Sequence, residues 1–319
     1  MQRRDFMKRS ALAGAGLVLG TQMRTDTALA APACSWGART DPYKGETVQR
    51  ATLDFEAKIG RKIAIVREYS CWDRDLPDHY DTWAGNRGLI PMIAWHARTS
   101  GGGVIPWASI AKGAHDARIR NQARSLKAWG KKAYFCFHHE PENDHANGGP
   151  AEFRAAWSRV HHIFGSVGTP NLTWVPTFMA STYRGGHGGI GRWMPLTGGT
   201  LFGVDGYNRG ACDPAGWRTF DEIFRAARNY ARAKGHGLFI PEFGCVEDGA
   251  CTGTGGDPTR KAAWITRAAS TITSWPEVRG VVYSNTEWVF KGAHVNYRVT
   301  TSKQSLTAYR AAGELAHFT

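Results

Sequence analysis

After residue 30 the chain alternates short apolar runs with stretches whose apolar residues recur every three or four positions. The runs at 34–37, 62–69, 89–95, 132–140, 172–178, 201–207, 237–245 and 279–285 predict buried strands. The periodic stretches predict helices with one buried stripe. Residues 43–59 present Val48, Thr52, Phe55 and Ile59, and residues 114–129 present Ile119, Ala123, Leu126 and Trp129. Pro150 opens a helix at the position proline tolerates, with Phe153, Trp157, Val160 and Phe164 on one face. Later stripes run through Phe220, Phe224, Ala227 and Ala231, and then, after Asp257 and Pro258, through Ile265, Ala268 and Ile272. A short helix is expected at 75–83 and a closing one at 302–318. Between the fifth and sixth strands no helix is predicted, because residues 185–191 are mostly glycine.

Strands separated by helices run parallel, with the helices outside. Eight such units in a chain of 319 residues predict a (β/α)8 TIM barrel, whose functional groups gather where the strands end. A doubly wound open sheet shares the alternation. Its dinucleotide fingerprint, Gly-x-Gly-x-x-Gly, is missing from the first turn at Gly37, Ala38, Arg39 and Thr40.

Residues 1–30 read differently. Arg3 and Arg4 precede an apolar run from Ala11 to Gly20, and Ala28 and Ala30 supply small residues for cleavage, the pattern of a twin-arginine export signal. The apolar run is about half the ~20 residues that span a bilayer. The expectation is a protein exported from the cytoplasm, with residues 31–319 forming one barrel domain, monomeric and free of the membrane. Net charge +13 loses Arg3, Arg4, Lys8, Arg9 and Arg24 and regains Asp5 and Asp26, leaving +10. The basic residues form no run of five, so a solvated basic surface is expected and a nucleic-acid partner is not. Of the six cysteines, Cys245 and Cys251 are close enough in sequence to predict a short bridged loop; the pairing of Cys34, Cys71, Cys136 and Cys212 stays open.

Two predicted strands end in carboxylates. Residues 132–144 carry Tyr134, Phe135, Cys136 and Phe137 into His138, His139, Glu140, Pro141 and Glu142. Strand alternation predicts Phe135, Phe137 and His139 on the helix-covered face and Glu140 on the other. Residues 237–245 repeat the design and deliver Glu242. Glutamates on two strand tips suit paired acid chemistry, in which one carboxyl protonates a leaving oxygen and the other attacks or activates water. Glu142 is a rival to Glu140; the latter is preferred as the last residue a strand would aim before the proline.

His139-Glu140, Pro241-Glu242-Phe243-Gly244, residues 88–95, residues 171–175, Val204-Asp205-Gly206-Tyr207 and residues 280–285 together resemble glycoside hydrolase family 26, the β-mannanase-like barrel glycosidases. The resemblance covers roughly residues 34–300. It implies Glu140 as acid/base and Glu242 as nucleophile, with Tyr207 holding the nucleophile and His139 lining the centre. It also implies retention of configuration, a β-linked polysaccharide substrate of the mannan type, and Trp288 as a stacking residue after strand eight. The sequence departs from the family where Pro141-Glu142-Asn143-Asp144 follows the His-Glu pair. Xylan and mixed-linkage glucan remain open as substrates, as does a barrel that binds carbohydrate without cleaving it.

Other candidates follow from position. Arg67 and Tyr69 end strand two, Trp95 ends strand three and Asn285 ends strand eight, all expected near substrate. Trp72, Trp107 and Trp193 fall at or beyond strand ends and suit either stacking or packing, whereas Trp129, Trp157 and Trp264 lie on helical stripes. No metal or other cofactor is expected. His-Glu-x-x-His is missing, and His161 and His162 are helix neighbours that face apart. A Gly-x-Ser-x-Gly elbow is missing too, and Cys136 reads as a small core residue.

Overall fold

The computed structural model describes residues 34–196, 199, 201–252 and 255–319. The export segment expected at 1–30 lies outside them.

Parallel strands and helices alternate from the first described residues. Strand β1 (Ser35–Thr40) is followed by α1 (Val48–Ile59), β2 (Ile65–Ser70), α2 (His79–Asn86) and β3 (Ile90–Trp95). Helices α3 (Trp107–Ala111) and α4 (Asp116–Trp129) lead to β4 (Ala133–Phe137), and α5 (Pro150–Val167) follows. The predicted fifth strand is split into β5 (Leu172–Trp174) and β6 (Thr177–Met179). Short helices α6 (Ala180–Tyr183) and α7 (Ile190–Trp193) lead on to β7 (Leu201–Asn208), α8 (Phe220–Ala233), β8 (Gly237–Cys245), α9 (Arg260–Thr273) and β9 (Val278–Asn285). A hairpin of β10 (Glu287–Phe290) and β11 (Ala293–Asn296) precedes the closing α10 (Lys303–Gly313).

The sheet runs β5-β4-β3-β2-β1-β9-β8-β7-β6. Its two ends are halves of one segment. Val175 donates to Phe135 O at 2.8 Å on the β4 side, and Gly203 donates to Pro176 O at 2.8 Å on the β7 side. Pro176 has no N–H to give, so the ladder changes partner where the chain cannot continue it. The result is the predicted (β/α)8 barrel, with one strand broken in two.

Inside the barrel Ile65, Met92, Cys136, Val175, Leu201, Phe239 and Val282 pack together. Cys136 is thus core, as its place in the strand predicted. Gly37 is required on β1, because a Cβ there would stand 2.6 Å from the Ile65 carbonyl oxygen. Outside, the stripes read from the sequence are buried against the sheet; Phe153, Trp157, Val160 and Phe164 on α5 are 0–1% exposed. Helix ends follow local rules. Thr47 caps α1 through Arg50 N, Gly60 closes it in the left-handed region, and Thr219 and Glu222 form a capping box on α8.

The expected Cys245–Cys251 bridge is corrected. Cys251 is joined to Cys212, across 39 residues, while Cys245 is a free thiol buried at the end of β8. Strand β8 continues through Cys245, and its side chain packs into the core instead of facing the following loop.

Candidate active site

Strand β4 ends three residues earlier than the predicted run, which reached Glu140. Pairing stops at Phe137, and His138 (φ 52°) and Glu140 (φ 46°) both take left-handed backbone conformations. Such conformations are uncommon for non-glycine residues and cost about 1–3 kcal/mol each, so surrounding contacts must hold them. His138 is fully buried; its Nε2 lies 2.7 Å from Asp144 Oδ2, and its Nδ1 accepts the Ala97 N–H at 3.1 Å. Asp144 also receives Arg98 Nη2 at 2.8 Å. Burial raises the Asp144 carboxyl, but His138 and Arg98 outweigh that and hold it at about 2. The face assignment read from alternation therefore fails beyond Phe137. His138 turns outward toward Trp107, and His139 turns toward the strand tips.

Glu140 and Glu242 line one cavity of about 740 Å³ at the C-terminal ends of the strands, with Asp205, Tyr207 and Trp288. Glu242 is held from both oxygens. Tyr207 donates to Oε2 at 2.5 Å; Tyr69 donates to Oε1, and Arg67 Nη2 lies 3.0 Å from the same atom. Burial would raise this carboxyl, but Arg67, then the Tyr207 and Tyr69 hydroxyls, pull it below its ordinary value. Tyr207 is steadied in turn by Ser284 Oγ at 2.9 Å. His139 Nε2 stands 3.8 Å from Glu242 Oε1, and its Nδ1 meets His96 Nε2 at 2.7 Å. Burial, then the neighbouring His96, pushes His139 well below the ordinary imidazole value, and burial pushes His96 down to about 3.

Glu140 is treated oppositely. Its described hydrogen bond to a side chain comes from Asn143 Nδ2, at 2.9 Å. Burial, then the charges of Glu242 and Glu142, push its carboxyl up to about 8. The two glutamates are thus driven in opposite directions, Glu140 toward the acid and Glu242 toward the carboxylate, the division that paired acid chemistry needs.

Glu142 occupies a different place. It is fully buried, and its Oε1 accepts the Met179 N–H and the Thr182 hydroxyl, each at 2.7 Å. Burial raises it to about 7, but it ties the start of α6 to the loop after β4 and does not line the cavity. Of the residues singled out from sequence, Arg67, Tyr69, His139 and Tyr207 surround Glu242, and Trp288 walls the cavity with its ring 5.0 Å from that of Tyr207.

Trp95 and Asn285 do not join them. Trp95 is fully buried, stacked 4.2 Å from Trp72 with the rings 5° from parallel, because its position on β3 faces the helices. Trp107 and Trp193 are core as well. Asn285 spends its Oδ1 on Val299 N at 2.9 Å, beside a crevice shared with Asp41 and Arg298.

Sequence reasoning passed over Asp205, Arg39, His96 and Arg209. Asp205 had a signal, since it lies two residues before Tyr207 and so shares its face of β7. It faces Arg67 Nη2 at 3.6 Å; burial and the charge of Glu242 raise its carboxyl well above the ordinary range. His96 and Arg39, at the tips of β3 and β1, lie close to the Tyr69 ring. His139, Asp205 and Glu242 bring donor atoms within 4.8 Å of one another, as do His96, His138 and Asp144. In the first group the positive charge between the two carboxylates is the Arg67 guanidinium, and in the second Asp144 already receives Arg98.

Comparison with known proteins adds to the geometry. No family model matches the chain. Among curated proteins, Endoglucanase H of Acetivibrio thermocellus is 28% identical over 282 residues, which cover 83% of this chain and 29% of that protein. The chain therefore spans less than a third of the curated relative's length. Among solved structures, a modular endo-β-1,4-mannanase from Cellulomonas fimi, described as a family 26 enzyme, superposes with a TM-score of 0.62 at 16% identity, covering 90% of this chain and 72% of the other. The catalytic domain of the Bacillus sp. JAMB-750 endo-β-1,4-mannanase gives 0.61 at 12% identity over 91% and 88% of the two chains. A β-mannanase from a symbiotic protist of the termite Reticulitermes speratus, solved with gluco-manno-oligosaccharide, gives 0.59 at 17% over 90% and 88%. The likeness first read from short motifs extends over the whole barrel, and the fold of this chain is that of the glycoside hydrolase family 26 β-mannanases.

Proposed function

We propose that this protein is a retaining β-glycoside hydrolase acting on a β-linked polysaccharide of the β-1,4-mannan type, exported by a twin-arginine signal within residues 1–30. The observation that carries the reading is the pair of carboxyls in one cavity, Glu140 raised to about 8 and Glu242 held below its ordinary value. The ionised Glu242 attacks the anomeric carbon as Glu140 gives its proton to the departing glycosidic oxygen. Glu140, now ionised, then takes a proton from the water that displaces the sugar from Glu242. Retention requires the carboxyl groups to stand about 5–5.5 Å apart, close enough for each to feel the other's charge. That the charge of Glu242 is the second cause of the rise at Glu140 supports a shared site for the two carboxyls.

A glucan substrate is the second reading, favoured by the endoglucanase name of the curated relative. Incubating the mature protein with β-mannan, mixed-linkage glucan and xylan, and following the first-formed anomer by NMR, tests both readings. β-Anomer released from mannan is expected. Release from glucan alone selects the second reading, and α-anomer as the first product rejects retention.

A further inference from the structure

One wall of the cavity carries more positive charge than the acid pair uses. Arg184 follows α6, Arg209 and Arg218 lie in the loop after β7, and Lys291 sits at the tip of the β10–β11 hairpin; all four line the cavity. The only carboxylate among them is Asp213, and it is poorly shared. Its Oδ1 accepts the Ala215 N–H at 2.9 Å, leaving Oδ2 at 3.8 Å from Arg209 Nη1 and 4.0 Å from Arg218 Nη2. Neither distance is a hydrogen bond. Nε of Arg209 and Nε of Arg218 are buried without a hydrogen-bond partner. Arg184 donates to the Ile223 carbonyl at 2.9 Å and has no carboxylate within 4.0 Å among the described residues. Burial, then repulsion from Arg218, lowers it.

Elsewhere around the acid pair the charges are matched: Arg67 faces Glu242 and Asp205, and Arg39 pairs with Asp41 at 3.0 Å. Three loops from separate strands have thus brought four cations to the cavity and, besides Glu140, Asp205 and Glu242, one carboxylate, Asp213. Arg184, after α6, is on the side of Glu140, whose partner Asn143 touches Met179 immediately before that helix. A planar guanidinium fork left unsatisfied in a cleft suits a planar or tetrahedral oxyanion.

We infer that the leaving-group side of the cleft accepts a sugar carrying a negative charge, a uronate carboxylate, so that the preferred substrate is a β-glycan of the proposed type bearing acidic units. The inference deepens the proposed function and rests on it for which side is called leaving. The anion bridges Arg209 and Arg218 in place of the weak Asp213 contact, with Arg184 and Lys291 supplying field.

The test uses three matched β-linked oligosaccharides that differ only on the leaving-side sugar: neutral, uronate-bearing, or sulfate-esterified. Affinity is measured by calorimetry on the Glu242→Ala protein, where nothing turns over, and kcat/KM on the unaltered protein. The uronate arm should bind about tenfold more tightly than the neutral one, as expected for one charge-assisted contact in a partly buried site. The preference should shrink as salt is raised. Arg218→Gln should bring the ratio of the two affinities close to one, and Arg218→Lys should restore part of it. Equal affinities with hydrolysis intact overturn this inference and leave the proposed function standing. A uronate preference with no hydrolysis of any arm upholds the anion site and overturns the hydrolase. Preference for the sulfate ester alone overturns the uronate assignment.

Discussion

Replacing Tyr207 by phenylalanine isolates what one hydroxyl does for Glu242. The ring stays, packed against Trp288 and Tyr297, so the substitution removes little besides the donor 2.5 Å from Glu242 Oε2. Tyr69 and Arg67 remain on Oε1. A hydrogen bond to an ionised partner contributes about 1.5–3 kcal/mol, equivalent to about 10- to 150-fold in kcat/KM. The pH profile carries the more specific sign. Donation to the carboxylate stabilises its ionised form, so losing the donor moves Glu242 upward and shifts the acid limb of kcat/KM to higher pH. The basic limb belongs to Glu140 and should stay near 8. Ser284→Ala, which takes only the hydroxyl's second contact at 2.9 Å, should cost less than about tenfold. The assay is kcat/KM on β-mannan between pH 3 and 9, with denaturation midpoints to show that each variant is folded. A Tyr207→Phe profile that overlays the parent within twofold would refute the idea that this hydroxyl keeps Glu242 ionised.

Glu140→Gln should lower kcat/KM by about 10²–10⁴ and abolish the basic limb, because the acid form lost as pH rises through about 8 is then gone; a limb that persists would move the acid elsewhere. Glu142→Ala strands the Met179 N–H and the Thr182 hydroxyl and should cost about 2–5 kcal/mol by urea denaturation, with the pH profile retained in whatever stays folded. Glu142→Gln, which keeps an acceptor, should cost less. Non-reducing peptide mapping should recover Cys212 joined to Cys251, and Cys212→Ser should lower stability by about 4 kcal/mol on the chain-entropy account of a closed loop of about 40 residues; a Cys245–Cys251 peptide would contradict the structure. Asp205→Asn should leave the acid limb nearly in place, since Asp205 is raised well above the ordinary range and brings little negative charge to Glu242 at working pH; a large shift to lower pH would show that it is ionised.

The barrel was legible because its pattern is redundant. The eight predicted strands and the longer helices are announced by many apolar residues, so errors of two or three positions at an end do no harm; the β10–β11 hairpin and the short helices α3, α6 and α7 were not announced. The site depends on fewer residues. Glu140 and Glu242 could be read because each stands where a predicted strand ends, and Tyr207 because the motif around it resembles the family's. Alternation failed from His138 onward, since the left-handed backbone there is imposed by Asp144, Arg98 and the Ala97 N–H, contacts made across 6 to 46 residues. Trp95 misled for a related reason. An indole at a strand end is equally suited to sugar and to core, and only the stacked Trp72 decides. The Cys245–Cys251 reading weighed nearness in sequence, but β8 runs on through Cys245 and turns its thiol away from the loop.

The two glutamates differ because fixed donors are distributed unequally around them. Arg67 brings one positive charge into a fully buried setting where two carboxyls, Glu242 and Asp205, compete for it at 3.0 and 3.6 Å. One buried cation can hold one carboxylate ionised at moderate cost; holding two would leave an uncompensated charge in a poorly solvated site. The tyrosines break the tie. Tyr69 and Tyr207 donate to Glu242, whereas neither oxygen of Asp205 has a hydrogen-bond partner among the described residues. Negative charge therefore settles on Glu242, and that charge in turn helps raise both Asp205 and Glu140. Strands β2 and β7, which carry Arg67, Tyr69 and Tyr207, thus set the protonation of a group on the loop after β4 that none of those three side chains is hydrogen-bonded to.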